Sequence, residues 1–309
     1  MKITAKIAVT STVSITVIII AIVSVIYYLP GNSAQTATLI LPAGTPPSAQ
    51  LKISGNVDAE KTLTLADLSQ MPLTSVTYTI KGETATYIGV TITELLNKTG
   101  ASWDTGFINI IAGDGFKKTI NTYQAYNSTQ YPGSEFILAF TKNGQWITNT
   151  TEGPLKLIVP GLVSNYNVKN VAEISLEPWT VTVNGEVNNP MTITGGNITN
   201  FEVKTVNAAF APGGEAQRTS DWTGVTVSSI LEDSGVASSA TKITVVAIDG
   251  YSREFTLEQV YSTGMLLGYQ ENSAYLSPDD GQPFRLFVPT EEFKWGQNWV
   301  RWVSEITIS

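Results

Sequence analysis

"EGPLKLIVP", Glu152–Pro160, returns about 130 residues later as "GQPFRLFVP", Gly281–Pro289. Each phrase reads as a short apolar strand closed by a proline, which cannot donate to a sheet ladder. Each carries one basic residue, Lys156 or Arg285, among its apolar neighbours. A lone base in such a strand ordinarily leads its head to water or into a cleft.

The repetition continues on both sides of the phrase. "LKISGNV" (Leu51–Val57) answers "VTVNGEV" (Val181–Val187), and "YIGVTITELL" (Tyr87–Leu96) answers "WTGVTVSSIL" (Trp222–Leu231). Trp222 lies 135 residues after Tyr87, as Gly235 does after Gly100 and Asp249 after Asp114. "FILAFTKNGQWI" (Phe136–Ile147) then meets "MLLGYQENSAYL" (Met265–Leu276), and from here to the closing prolines the offset is 129, so one loop is shorter in the second copy. "VAEISL" (Val171–Leu176) and "VSEITI" (Val303–Ile308) close the two copies. An ordered series of this kind is a tandem duplication.

Within a copy the hydrophobic period switches repeatedly. "LKISGNV", "VTYTI", "FINIIA", "ILAF" and "LKLIVP" are branched and aromatic runs bounded by Gly, Asn and Pro, which predicts strands. Thr91 and Glu94 are spaced as a capping box for a helix that Gly100 stops, with Gly235 in the same role in copy two. "LTLADLS" and "TLEQVYS" predict short helices after a threonine. The expected fold class is therefore α+β, with two tandem mixed domains over 51–178 and 179–309.

Composition excludes several chemistries. The 309 residues contain no Cys and no His. Thiolate nucleophiles, Ser-His-Asp triads, His or Cys zinc sites, c-type haem attachment and disulfides are all ruled out. The net charge is −8, and −10 without Lys2 and Lys6, which argues against nucleic acid as a partner. Asp279, Asp280, Glu291 and Glu292 lack the ligand spacing of a calcium loop.

The N-terminus predicts a compartment. Ile7–Leu29 is 23 residues without a charge, long enough as a helix to cross a hydrocarbon core of about 30 Å. Lys2 and Lys6 precede it, so residues 1–6 are expected in the cytoplasm, 7–29 as a single-pass anchor, and the bulk outside. A cleaved signal peptide, leaving a secreted protein, is the alternative. Residues 30–50, rich in Pro, Gly, Ser and Ala, read as a linker. Glycosylation sequons at Asn97, Asn127, Asn149 and Asn197 fit an outside location, although Ser and Thr are common enough here to supply them by chance.

Taken in series, the repeated pieces resemble the oxidoreductase molybdopterin-binding domain of the sulfite oxidase type. The order is W-x-G-V and a short helix, a D-G-[FY] turn, an apolar strand with an N-G turn, G-x-P-[LF]-[RK]-[LV]-x-V-P, then a basic residue before [VW]-x-E-I. The second copy matches more closely, through Trp222, Gly224, Asp249, Gly250, Tyr251, Gly281, Pro283, Arg285, Pro289, Arg301 and Trp302. The first matches through Gly89, Gly115, Asn143, Gly144, Gly153, Pro154, Lys156, Pro160 and Lys169.

The resemblance implies a scaffold whose catalytic relatives hold molybdenum through a pterin dithiolene and one cysteine thiolate. The stretches where that ligand is expected, Thr77–Thr84 and Val203–Phe210, contain no Cys. Oxygen or amine ligands do not reproduce thiolate donation. The histidines that help hold the pterin are absent as well, and only four arginines occur, at 218, 253, 285 and 301.

The candidate ligand-cleft residues are Arg285, Arg301, Trp302, Lys169, Lys156, Asp249 and Tyr251. Read without the family, Asp114 and Asp249 are Asp-Gly turn residues. Trp295, Trp299 and Trp302 read as core for some and an exposed contact for another, with Lys294 and Arg301 near enough in sequence to stack on them. The expectation is a membrane-anchored extracytoplasmic binding module for a small ligand or a surface protein, with no cofactor and no catalytic or metal-ligating residue. The alternative is an oxidoreductase that keeps molybdopterin through non-Cys ligation.

Overall fold

A computed structural model of the chain describes residues 23–27, 35–213 and 217–309. The strand Gln50–Gly55 shows how the sequence builds it: Leu51 and Ile53 face inward while Gln50 and Lys52 face water, the period of a half-buried strand. Its neighbours assemble a five-stranded sheet in the order Lys61–Thr64, Gln50–Gly55, Val171–Pro178, Thr105–Ala112, Lys117–Asn121. A second sheet runs Gln145–Trp146, Ile137–Lys142, Glu83–Thr91, Leu73–Ile80, and the phrase strand Lys156–Ile158 joins it on Ile137–Lys142.

The second half repeats both sheets strand for strand. One orders Met191–Ile193, Val181–Gly185, Val303–Ile308, Lys242–Ala247, Ser252–Thr256. The other orders Val203–Phe210, Arg218–Thr226, Leu266–Glu271, Ala274–Tyr275, with Arg285–Phe287 on Leu266–Glu271. In each half the first and last strands pair in parallel, Ile53 opposite Ile174 and Val183 opposite Ile306. All other pairings of the described strands are antiparallel, so this is the mixed α+β architecture that the switching periods predict.

The short helices obey their capping signals. Thr64 with Asp67, and Thr256 with Gln259, form reciprocal capping boxes. Thr91 accepts from the backbone N–H of Glu94 at 3.1 Å, but Glu94 does not return the bond, so the expected box is half made. Gly100 and Gly235 end their helices in the left-handed conformation.

The glycine repeated in "YIG" and "WTG" has a packing cause. At Gly89 and Gly224 the ladder to the next strand slips by one residue, and an added Cβ would lie 2.1 Å from the Leu138 carbonyl or 2.5 Å from Gly268 Cα. Only glycine lets the two backbones approach so closely. Trp222, two residues before Gly224, is fully buried and donates its indole N–H to the Ala208 carbonyl at 3.1 Å.

The halves interlock through aromatic residues. Trp179, in the connector, is buried and donates its indole N–H to Val303 O at 2.6 Å. Trp103 of the first half stacks on Tyr275 of the second, with centroids 4.4 Å apart and planes at 6°, and meets Phe284 edge-on. Gln282 donates its amide to the Trp103 carbonyl at 2.7 Å.

Of the expected anchor over 7–29, only Val23–Tyr27 lie among the described residues. There they form a strand paired with Gln35–Leu39, not a helix. The run VSVIY is β-branched and aromatic, and with an extended partner at hand those side chains favour a ladder. Among the described residues, no helix is long and apolar enough to cross a membrane. Leu39, inside the expected linker, packs on the first core together with Leu41.

Candidate functional site

The repeated phrase holds its base inside the molecule. Lys156 and Arg285 are only 2% and 3% exposed, so their heads do not reach bulk water as the pattern alone suggests. The phrase strand is flanked by the segment that carries the second base: Leu157 N donates to Val168 O and Leu286 N to Val300 O, both at 2.8 Å. Lys169 and Arg301 follow directly on those valines. Gly281 adopts φ +96°, and a Cβ there would lie 2.7 Å from Arg301 Cβ, so the glycine admits the arginine stem.

In the second half the two bases meet a third, Arg218, around a cavity of about 560 Å³. Phe210, Ser277, Asp279 and Asp280 complete much of its wall. The Arg285 guanidinium lies 4.2 Å over the Phe210 ring and donates to Asp280 O at 3.2 Å. Arg218 bridges Glu271 at 2.9 Å and Asp280 at 2.6 Å. The Nε atoms of Arg218 and Arg285 are both buried without a hydrogen-bond partner among the described residues. Burial, then the like charge of Arg301, pulls Arg285 down to about 9. Burial works to raise Asp280, but Ser277 and Arg218 outweigh it and hold the carboxyl below its ordinary range.

The first half places a cavity of about 430 Å³ at the equivalent position, lined by Lys142, Lys156, Lys169, Glu83, Glu152 and Tyr87 among others. Glu152 accepts from Lys156 at 2.7 Å and lies 3.4 Å from Lys169. Burial works to raise Glu152, while the surrounding lysines lower it on balance. Burial lowers Lys156.

The two cavities carry one ion pair in opposite senses. Lys142 stands opposite Tyr87 and pairs with Glu83 at 2.8 Å. At the matching positions Glu271 stands opposite Trp222 and pairs with Arg218 at 2.9 Å. Position by position, Lys–Glu has become Glu–Arg, so the pairing is kept while the charges are exchanged.

The predicted residues thus separate into three places. Arg285 and Arg301 share the second cavity, and Lys156 and Lys169 the first. Trp302 lines neither: it is buried between the halves with positive φ, edge-on to Tyr123 and 5.8 Å from Trp179. Asp249 accepts from the Tyr251 backbone N–H at 2.9 Å and so holds its own turn, while the exposed Tyr251 donates to Gln297 O at 2.6 Å. Of the tryptophans, Trp299 is core and Trp295 exposed. Arg218, Asp280, Lys142 and Glu152 were missed. Arg218 had a signal, being one of only four arginines in the chain. The acidic partners had none.

The donor set decides what these cavities suit. Three guanidiniums, two of them with a buried Nε that has no acceptor among the described residues, are a donor set that suits an anionic group. For a metal, the chain offers no thiolate, and the described residues contain no cluster of three Asp or Glu.

Comparison with known proteins agrees with the duplicated fold. Nitrate reductase [NADH] of Ulva prolifera is 27% identical over 184 residues, which is 48% of this chain and 21% of that protein. Nitrate reductase [NADH] of Spinacia oleracea is 28% identical over 168 residues, 43% of this chain and 18% of that one. The uncharacterized oxidoreductase YuiH of Bacillus subtilis is 27% identical over 124 residues, 40% of this chain and 63% of that one. The chain therefore spans about a fifth of the nitrate reductases and under two thirds of YuiH. The sulfane dehydrogenase SoxCD of Paracoccus pantotrophus aligns at TM-score 0.39 and 22% identity, covering 53% of this chain and 50% of that one. The profile of the oxidoreductase molybdopterin binding domain matches residues 39–178 and again 171–309, nearly everything after the N-terminal apolar stretch, and the chain belongs to that family, with the domain present twice.

Proposed function

We propose that this protein is a membrane-anchored extracytoplasmic binding module that has kept the molybdopterin-domain scaffold without its metal ligation. Its second-half cavity takes a small anionic ligand bearing phosphate-like oxygens. The observation that supports this reading is the pair of buried Nε donors on Arg218 and Arg285, for which the described residues supply no acceptor. An unmade buried hydrogen bond costs about 1–3 kcal/mol, so a ligand that completes it recovers that amount. The absence of charge from Ile7 to Leu29 behind two lysines is the sequence feature that supports the anchor and the outside location, while Val23–Tyr27 of that stretch form a strand.

Titration calorimetry with inorganic phosphate, sulfate and a phosphorylated pterin tests the site. Saturable binding that Arg285→Met weakens at least tenfold is expected. Absence of binding by all three would sink the proposal.

A second reading is a molybdopterin-dependent oxidoreductase that passes electrons to a membrane partner, with the metal held by oxygen or nitrogen. Family membership and the guanidinium cluster favour it. The missing thiolate weighs against it, and molybdenum content separates the two.

A further inference from the structure

Between the halves lies a cleft of about 430 Å³ that differs in kind from the two basic cavities: no Lys, Arg, Asp or Glu lines it. Thr105, Thr122, Tyr126 and Asn97 come from the first half, and Gln282 and Trp302 from the second. The cleft therefore exists only because the domain is duplicated and the copies dock. Its volume falls within the range of about 300–1,000 Å³ usual for small-molecule sites.

Its hydrogen-bonding character follows from where the hydroxyl protons go. Ser102 donates to Asp104 at 2.7 Å, Thr105 to Asn56 O at 3.2 Å, Thr122 to Thr105 O at 3.2 Å and Thr129 to Tyr126 O at 2.7 Å. With those protons committed, each hydroxyl can offer a ligand only its lone pairs. Gln282 spends one of its two amide N–H groups on Trp103 O, which leaves the other and its carbonyl oxygen free among the described residues. The Asn97 side chain, exposed, makes no hydrogen bond among the described residues and supplies donors as well as an acceptor.

A ligand for this lining must donate several hydrogen bonds. It must also be neutral, since an ion entering a cleft without a charged partner loses hydration that nothing restores. The half-buried ring of Tyr126, backed by the buried Trp302 at 6.1 Å, gives the apolar surface against which a carbon skeleton packs. Many hydroxyl donors on a compact neutral ring with an apolar face is the chemistry of a saccharide.

We infer that the inter-half cleft is a binding site for a neutral sugar, separate from the anion cavity. The test is calorimetry or ligand-observed NMR on the full-length protein with glucose, galactose, mannose and N-acetylglucosamine. Saturable binding of at least one is expected. Asn97→Ala, at an exposed position without structural bonds, should weaken it about three- to tenfold, the effect of one lost hydrogen bond. Tyr126→Ala should weaken it at least as much, while Tyr126→Phe, which keeps the ring, should bind within about threefold of the parent. Arg285→Met should leave sugar binding unchanged, so failure of the anion proposal and failure of this one are told apart. No saturable binding by any of the four sugars at millimolar concentration, or binding indifferent to both Asn97→Ala and Tyr126→Ala, overturns the inference.

Discussion

Replacing Arg285 with methionine is expected to stabilise the ligand-free protein. The guanidinium is almost wholly buried, and among the described residues its single hydrogen bond is the 3.2 Å contact to Asp280 O. Its Nε has no partner among the described residues, a deficit of about 1–3 kcal/mol. The nearest carboxylate oxygen, Asp280 Oδ1, is 3.9 Å away. Removing the charge does not strand that carboxylate, because Arg218 holds it at 2.6 Å and Ser277 at 2.7 Å. The stacking on Phe210 is lost, about 0.5–2 kcal/mol, but a methionine sulfur over the same ring restores much of it. Exchanging a poorly paired buried charge for an apolar side chain of similar length stabilises by about 1–3 kcal/mol on this reasoning. The assay is urea unfolding followed by tryptophan fluorescence, in buffer free of phosphate and sulfate. A rise in melting temperature of about 2–4 °C per kcal/mol should accompany it. Destabilisation by more than about 1 kcal/mol would refute the argument, because it would make the guanidinium part of the core rather than a group held for a ligand.

Trp103→Ala removes the stack on Tyr275 and the edge contact with Phe284, and should cost about 2–4 kcal/mol; calorimetry should then resolve two unfolding transitions where the parent shows one. Gly224→Ala forces a Cβ to 2.5 Å from the neighbouring backbone and should destabilise by at least about 2 kcal/mol, measured by denaturant midpoint. Glu152 and Asp280 are both held below their ordinary range, so their stabilisation is present above that range and is lost as pH falls through the lowered values. The melting temperature should therefore drop as pH is taken below about 4, and Glu152→Gln with Asp280→Asn should flatten that dependence.

Much of the fold was legible because it is local and stated twice. The strands "LKISGNV" and "ILAF", the caps at Thr64 and Thr256, and the stops at Gly100 and Gly235 follow from period and turn chemistry alone. The duplication added what one copy lacks, since pairing Tyr87 with Trp222 fixes the register of both halves. What could not be read is long-range. The depth of Lys156 and Arg285 depends on the segment that covers the phrase strand, and the exchanged ion pairs depend on strands more than 50 residues apart in sequence. Asp249 and Tyr251 carry the family pattern, but their turn satisfies itself. Trp302 was expected beside the bases, and its left-handed backbone instead turns it between the halves.

The account rests on a scaffold that binds without molybdenum. Its most direct test is elemental and pterin analysis of the full-length protein purified from cells supplied with molybdate and tungstate. The account predicts molybdenum and tungsten far below one atom per chain. One molybdenum or tungsten per chain, retained through purification together with extractable pterin, would contradict it.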